Sequence, residues 1–148
     1  MKITEVLQAE HTVFHNLFDH MEHVLPALKT LAEVKGMART LEFMLLSHAR
    51  VEDELVINPL EHCLEQMGQR ENFHHEHEEI DGNLRRIQAV RSVAEARRLL
   101  QATVHYSRRH FVNEERIVFP LAEKVLKKKT LEDLGRACLE RRKDILAH

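Results

Sequence analysis

HFVNEERIVFPL, running from His110 to Leu121, sets the frame for the whole chain. It places an imidazole and a carboxylate, His110 and Glu114, four residues apart, then an apolar run closed by Pro120. On a helix, residues four apart stand on one face, one turn above the other. A neutral imidazole and a carboxylate held that way can reach one metal ion, or two adjacent ones. The stretch has an echo in HARVEDELVINPL, His48 to Leu60. There His48 and Glu52 repeat the step, Asp53 adds a second acid, and Pro59 closes the apolar run. The echo is imperfect: Pro59 lies eleven residues after its His, Pro120 ten after its own. Two such half-sites in one small chain predict one site built from both.

Outward from these stretches, the apolar residues recur at helical spacing. Leu7, His11, Phe14, Phe18, Met21, Leu25 and Leu28 step by alternating fours and threes, the seam of a helix facing a bundle core. Thr4 is its expected N-cap, Pro26 its kink or end, and Gly36 the first turn. A second helix carries the seam Leu41, Leu45, His48, Glu52 and Leu55, bends at Pro59 and ends at Gly68. A third, from about Glu71 to Arg91, carries Phe73, His77, Ile80, Leu84 and Ile87. Ser92 with Glu95 forms a capping box for a long fourth helix reaching about Lys127. Its seam is Leu100, Thr103, Ser107, His110, Glu114, Ile117 and Leu121. Thr130 with Asp133 is expected to cap a short fifth helix, Leu131 to about Leu146. No strand pattern, low-complexity tract or linker interrupts the series. The expected fold is all-α: an up-down-up-down four-helix bundle with a short C-terminal fifth helix across one end or side.

Composition agrees with that class. The 148 residues fit one domain, residues 1–148, and contain only four Gly and three Pro. A chain of this length buries roughly 68–70% of its unfolded surface and needs no disulfide staple. A net charge of −2 argues against a dedicated nucleic-acid binder. Cys63 and Cys138 form no CxxC pair and are read as reduced thiols of a cytoplasmic protein. The N-terminal MKITEVLQAEH has no apolar signal core, and no stretch is long enough to span a membrane.

The unusual count is histidine, twelve in all. Four fall on the seams, one per long helix: His11, His48, His77 and His110. The seam carboxylates are Glu52 and Glu114, each one turn after its helix's His. Charged groups on a bundle seam are costly unless paired or bound to metal. Six of them spread over four helices predict a pocket of four imidazoles and two carboxylates. Two carboxylates can bridge two metals, with imidazoles in the terminal positions. Nitrogen and oxygen donors without thiolate suit iron, and also admit zinc, manganese or cobalt.

These residues carry a specific resemblance. EHTVFHNLF (Glu10–Phe18), HARVE (His48–Glu52), EHEEI (Glu76–Ile80) and HFVNEERIVFP (His110–Pro120) together resemble the hemerythrin-like, HHE cation-binding family. The likeness covers about residues 4–125. It implies a non-heme di-iron centre in a four-helix bundle and the binding of O₂ or another small diatomic or anion. Oxygen or redox sensing, iron sensing, storage or protection are the roles it implies. By position, His11 and His48 would serve one iron, His77 and His110 the other, and Glu52 and Glu114 would bridge. Oxygen-carrying hemerythrins have a further His one turn before the third-helix His, where this chain has Phe73. They also place the fourth-helix carboxylate, an Asp, five residues after its His, where this chain has Glu at four. The chain therefore resembles the six-ligand HHE class, including the iron-sensing domain of an F-box ubiquitin-ligase subunit, more than the blood oxygen carrier. His15 and His74 flank the seams as candidate extra ligands.

Blander readings stand beside these. A lone seam His is more often a hydrogen-bonded core residue than a ligand, and an H-x-x-x-E pair is as often a surface pair as a site. The convergence of six groups is what favours metal. His20, His23, His62, His75, His105 and His148 lie off the seams and read as solvated. Asp53, Glu54 and Glu115 read as outward acids or as partners that orient imidazoles. Tyr106 reads as core edge, with a pocket role as the alternative. Two other functional classes compete. One is a di-iron enzyme acting on O₂, peroxide or nitric oxide, but the Glu-x-x-His pairs of the oxidase bundles are absent from the seams. Repeated turnover would mark that enzyme. The other is a metal-stabilised regulatory module, which would lose helicity on chelation.

Overall fold

Residues 1–146 are described by the structure, a computed structural model, and every regular element among them is helical. His148 lies outside the described residues. The chain folds as α1 (Ile3–Val24), α2 (Leu31–Glu52), α3 (Asn58–Gln66), α4 (Arg70–Ala89), α5 (Val93–Asn113), α6 (Phe119–Val125) and α7 (Lys128–Leu146). A π-helical turn, Asp53–Ile57, joins α2 to α3, and a second, Glu114–Val118, joins α5 to α6. Each of these pairs is one rod, so α1, α2–α3, α4 and α5–α6 make the four-helix bundle and α7 packs against α1.

The prolines explain the π turns. Pro59 and Pro120 have no N–H to donate one turn back, and their rings crowd the preceding carbonyl. The chain widens by one residue instead of breaking. Asn58 N–H reaches the Asp53 carbonyl and Phe119 N–H reaches that of Glu114, both five residues back. The expected bend at Pro59 is thus a widened turn. The inserted residue also shifts the seam. Beyond Glu114 the fully buried positions are Val118 and Ala122, while the expected Ile117 and Leu121 are only partly buried.

Helix ends follow local chemistry, with several corrections. α1 starts ahead of Thr4: Lys2 is its N-cap, and the Glu5 carboxylate accepts the Lys2 N–H at 2.8 Å. Thr4 instead donates to Glu123. Gly36 is not a turn. The 3₁₀ turn Leu25–Ala27, built on Pro26, ends α1, and Thr30 caps α2 by accepting from Glu33 N–H at 3.2 Å. With that cap upstream, Gly36 sits inside α2 at a cost of about 1 kcal/mol. α4 begins at Arg70 and ends at Ala89, slightly ahead of the expected bounds. Thr130 lies inside the first turn of α7, which starts at Lys128. Gly68 ends α3 as expected, at φ 69°, with Gln69 N–H on the Leu64 carbonyl and Gly68 N–H on that of Glu65. Ser92 caps α5 by accepting from Glu95 N–H.

The core is in two apolar blocks. One holds Leu7, Val56, Leu60, Phe73, Val118 and Leu131, the other Phe14, Phe18, Leu41, Ile80, Leu84 and Leu100. A polar layer lies where they meet: His11 packs against Phe111 of one block and Phe119 of the other, and His110 against Phe111 and Phe73. α7 closes over the first block with Leu131 and Cys138. It approaches the N-terminus closely at Gly135, where a Cβ would overlap the Met1 carbonyl oxygen and lie 3.0 Å from the Ile3 nitrogen. Cys63 and Cys138 are free thiols, and no described helix is long and apolar enough to cross a membrane.

Candidate metal centre

Each rod of the bundle brings one imidazole into the polar layer. α1 brings His11, α2 His48, α4 His77 and α5 His110, while Glu52 and Glu114 enter one turn after His48 and His110. Both carboxylates stand at the junctions with the π turns, where the seam changes register. All six sequence-predicted residues meet in one place, and they do so as two groups. His11, His48, Glu52 and Glu114 offer donor atoms within 4.8 Å of one another, and so do Glu52, His77, His110 and Glu114. Glu52 and Glu114 belong to both.

The distances inside the groups are those of ligands sharing a point. His11 Nε2 lies 3.1 Å from His48 Nε2, and His77 Nε2 lies 2.8 Å from His110 Nε2. Two donors about 2.1 Å from one ion and at right angles would be separated by about 3 Å. Glu114 faces His11 Nε2 at 3.3 Å and His77 Nε2 at 3.7 Å, and touches His110 Nε2. Glu52 faces His48 Nε2 at 3.5 Å. Both carboxylates are wholly buried, and their four oxygens make no well-formed hydrogen bond: the polar groups beside them are the same imidazole nitrogens. Two carboxylates buried among imidazoles alone need positive charge beside them, which protonated imidazoles or metal ions can supply. The donor set therefore fits a pair of metal ions.

On its other nitrogen, every imidazole meets a further carboxylate. His48 Nδ1 bonds Glu10 at 3.0 Å, His11 Nδ1 bonds Glu115 at 3.0 Å and His110 Nδ1 bonds Glu76 at 2.7 Å. His77 Nδ1 faces Asp53 at 3.6 Å. A carboxylate only accepts, so the Nδ1–H of His11, His48 and His110 donates outward and leaves Nε2 aimed at the centre, while His77 Nδ1 faces Asp53 without a hydrogen bond. The pattern is crossed. Glu10 precedes His11 in sequence but holds His48 on α2, and Glu76 precedes His77 but holds His110 on α5. Sequence reasoning assigned neither Glu10 nor Glu76 a role. The EH dipeptides were the available signal, but a neighbour in sequence points away from its own His.

The electrostatics are those of a cation trap. Burial pulls His48 and His110 down, but the carboxylates around them outweigh it, pushing His48 up to about 9 and His110 up to about 10. Burial and the neighbouring Glu114 push Glu52 up, while the surrounding imidazoles overcome burial and hold Glu114 well below the usual carboxylate range. The field that retains protons here also favours a metal cation in their place, and the two compete.

A cavity of about 300 Å³ opens onto the centre between α2 and α4. Leu45, Leu46, Ala49, Ile80 and Phe111 line it beside His48, Glu52, His77 and His110. The candidate extra ligands do not join either group. His15 turns to Glu115 at 3.4 Å, and His74 is exposed at the cavity, 3.9 Å from Glu61. Tyr106 is exposed, as are His20, His23, His62, His75 and His105.

A family model described as the hemerythrin HHE cation binding domain matches residues 2–122, and again residues 70–139. The second match starts at the first residue of α4, where the second pair of imidazole-bearing rods begins. No curated protein and no solved structure matches the chain.

Proposed function

We propose that this chain, which belongs to the hemerythrin HHE cation-binding family, holds two non-heme iron ions and binds O₂ or a related small diatomic or anion. One observation carries the reading: four carboxylate oxygens, on Glu52 and Glu114, lie fully buried where two groups of imidazole nitrogens meet, with those nitrogens beside them and no well-formed hydrogen bond. His11 and His48 would hold one ion, His77 and His110 the other, and Glu52 and Glu114 would be shared. A bound iron pair supplies an open coordination position and a change of redox state.

The chain's own residues do the rest. Glu10, Glu115 and Glu76 fix the orientations of His48, His11 and His110, Asp53 faces His77, and such partners commonly govern metal affinity. Phe111 stacks on His11 at 4.0 Å and, with Phe14 and Phe119, keeps water from that side. The cavity between α2 and α4 gives a small ligand its approach. A donor set of imidazole and carboxylate without thiolate suits iron, with zinc and manganese as competitors.

The test is the metal content of aerobically purified protein, read with its visible spectrum. About two irons per chain are expected, with charge-transfer bands that change on reduction and on addition of azide or O₂. His110→Ala and Glu114→Ala should abolish stoichiometric iron. Variants that still hold two irons would sink the ligand assignment. Zinc with no visible bands would remove the redox role.

A further inference from the structure

The metal centre is tied to α7 by one side chain. Arg142 donates through Nε to Glu10 Oε1 at 2.6 Å and through Nη2 to Glu10 Oε2 at 3.0 Å, a two-pronged grip on one carboxylate. Its Nη1 also donates to the Ser47 carbonyl and hydroxyl, both at 3.1 Å. Ser47 directly precedes His48 on α2. Glu10 Oε2 in turn accepts from His48 Nδ1. The chain of contacts runs Arg142, Glu10, His48, and from there to the donor atom Nε2.

The other half of the centre lacks this connection. Glu76, the carboxylate on His110, is held by the Asn113 side-chain amide at 3.2 Å. Asn113 is a neutral group one residue before Glu114 on the same rod. One imidazole is therefore oriented through a distant helix by a charged fork, its counterpart by a local amide.

We propose that Arg142 is a positioning residue for the His11–His48 half of the centre, and that through it the second half of α7 is coupled to metal occupancy of that half. This rests on the two-ion reading above. Arg142 fixes where Glu10 sits, Glu10 fixes the ring of His48, and a misplaced ring weakens its ion. Coupling is reciprocal, so an ion that locks His48 also locks the Glu10–Arg142 contact and holds α7 more firmly. α7 thereby becomes the part of the surface whose order depends on metal, the kind of element a binding partner can read.

The experiment is calorimetric titration of metal-stripped protein with Zn²⁺, which has one valence and no redox chemistry. Wild-type protein should take two ions. Arg142→Met should weaken one binding step about 10- to 100-fold and leave the other within about twofold. Arg142→Lys, which keeps the charge and loses the fork, should fall between and guards against a folding defect in the first variant. In a Glu10→Gln background Arg142→Met should add nothing, because its route is already cut. Anomalous scattering from crystals at limiting Zn²⁺ should show the variant's ion at His77–His110. Hydrogen exchange at residues 136–144 should slow on zinc binding in wild type and not in Arg142→Met. Equal weakening of both steps, no weakening, or a full additional loss on top of Glu10→Gln would overturn the inference. Wild-type protein that takes fewer than two ions would instead refute the two-ion reading, and is seen before any substitution is made.

Discussion

The two halves of the metal centre have the same plan and different walls. In each, two rods bring one imidazole apiece, the same two glutamates are shared, and each ring is backed by an acid from another helix. The α1–α2 half is the more closed: His11 is wholly buried with Phe111 stacked on it at 4.0 Å, although His48 of the same half borders the cavity. The α4–α5 half is open: the His77 side chain is 19% exposed and the cavity reaches it between α2 and α4. The difference teaches a division of labour. A more closed half suits an ion that stays put and is positioned, here through Arg142. An open half suits an ion that exchanges water or anions with solvent.

Removing the ring stacked on His11 should produce the largest effect. Phe111 is 2% exposed and touches His11, His48 and Phe14. Phe111→Ala leaves a cavity beside His11 and should cost about 3–5 kcal/mol, lowering Tm by about 10 °C or more. Calorimetric Zn²⁺ binding should weaken mainly in the step belonging to the more closed half. Equal weakening of both steps would mean that burial does not distinguish the halves.

A smaller effect comes from pH, with one imidazole of each half involved. In the folded chain His48 is raised to about 9 and His110 to about 10, above the ordinary 6.5. Folding therefore favours their protonated forms. That contribution is complete below pH 6.5 and is lost as pH rises through 9 and 10. Metal-stripped protein should thus lose several °C of Tm, at least, between pH 7 and pH 10. Metal-loaded protein should not, because there the ions replace the protons and affinity rises with pH. His48→Asn should remove the component near 9 and leave the one near 10. A stripped protein whose Tm rises over this range would contradict the cation-trap account.

How much of this was legible in the sequence depended on periodicity. His11, His48, Glu52, His77, His110 and Glu114 stand on helical seams, and a seam is a statement about which face meets the core. That was enough to bring the six together in one layer and to give the bundle. It failed where the helix itself changed. The π turns at Asp53–Ile57 and Glu114–Val118 insert a residue, so Val118 and Ala122 are buried where regular spacing pointed to Ile117 and Leu121. Pro59 and Pro120 announced a disturbance and not its form. Gly36 misled because Thr30 with Glu33 was the stronger local signal. Arg142 carried no sequence signal, and the EH dipeptides marked Glu10 and Glu76 without showing which His each would hold. Their partners lie on other helices, and Arg142 acts on a residue 132 positions away. No local rule reaches that far.

The smallest predicted effect tests the open wall alone. Ala49 lines the cavity on α2, with Leu45, Leu46 and Ile80 around it and the exposed Arg50, His74 and Glu78 nearby. A phenylalanine at position 49 would fill part of the passage without touching a donor atom named above. Ala49→Phe should leave both Zn²⁺ affinities within about twofold and slow the azide-induced spectral change of the iron-loaded protein on the order of tenfold. The pairing of outcomes is what decides. Slower azide with unchanged zinc binding fits a ligand that enters between α2 and α4 and finds the α4–α5 half. Unchanged azide kinetics would move the entry route elsewhere and leave the exposure of His77 without a role. Weakened zinc binding would mean that this wall supports the donor geometry, so the two halves differ in packing and not in access.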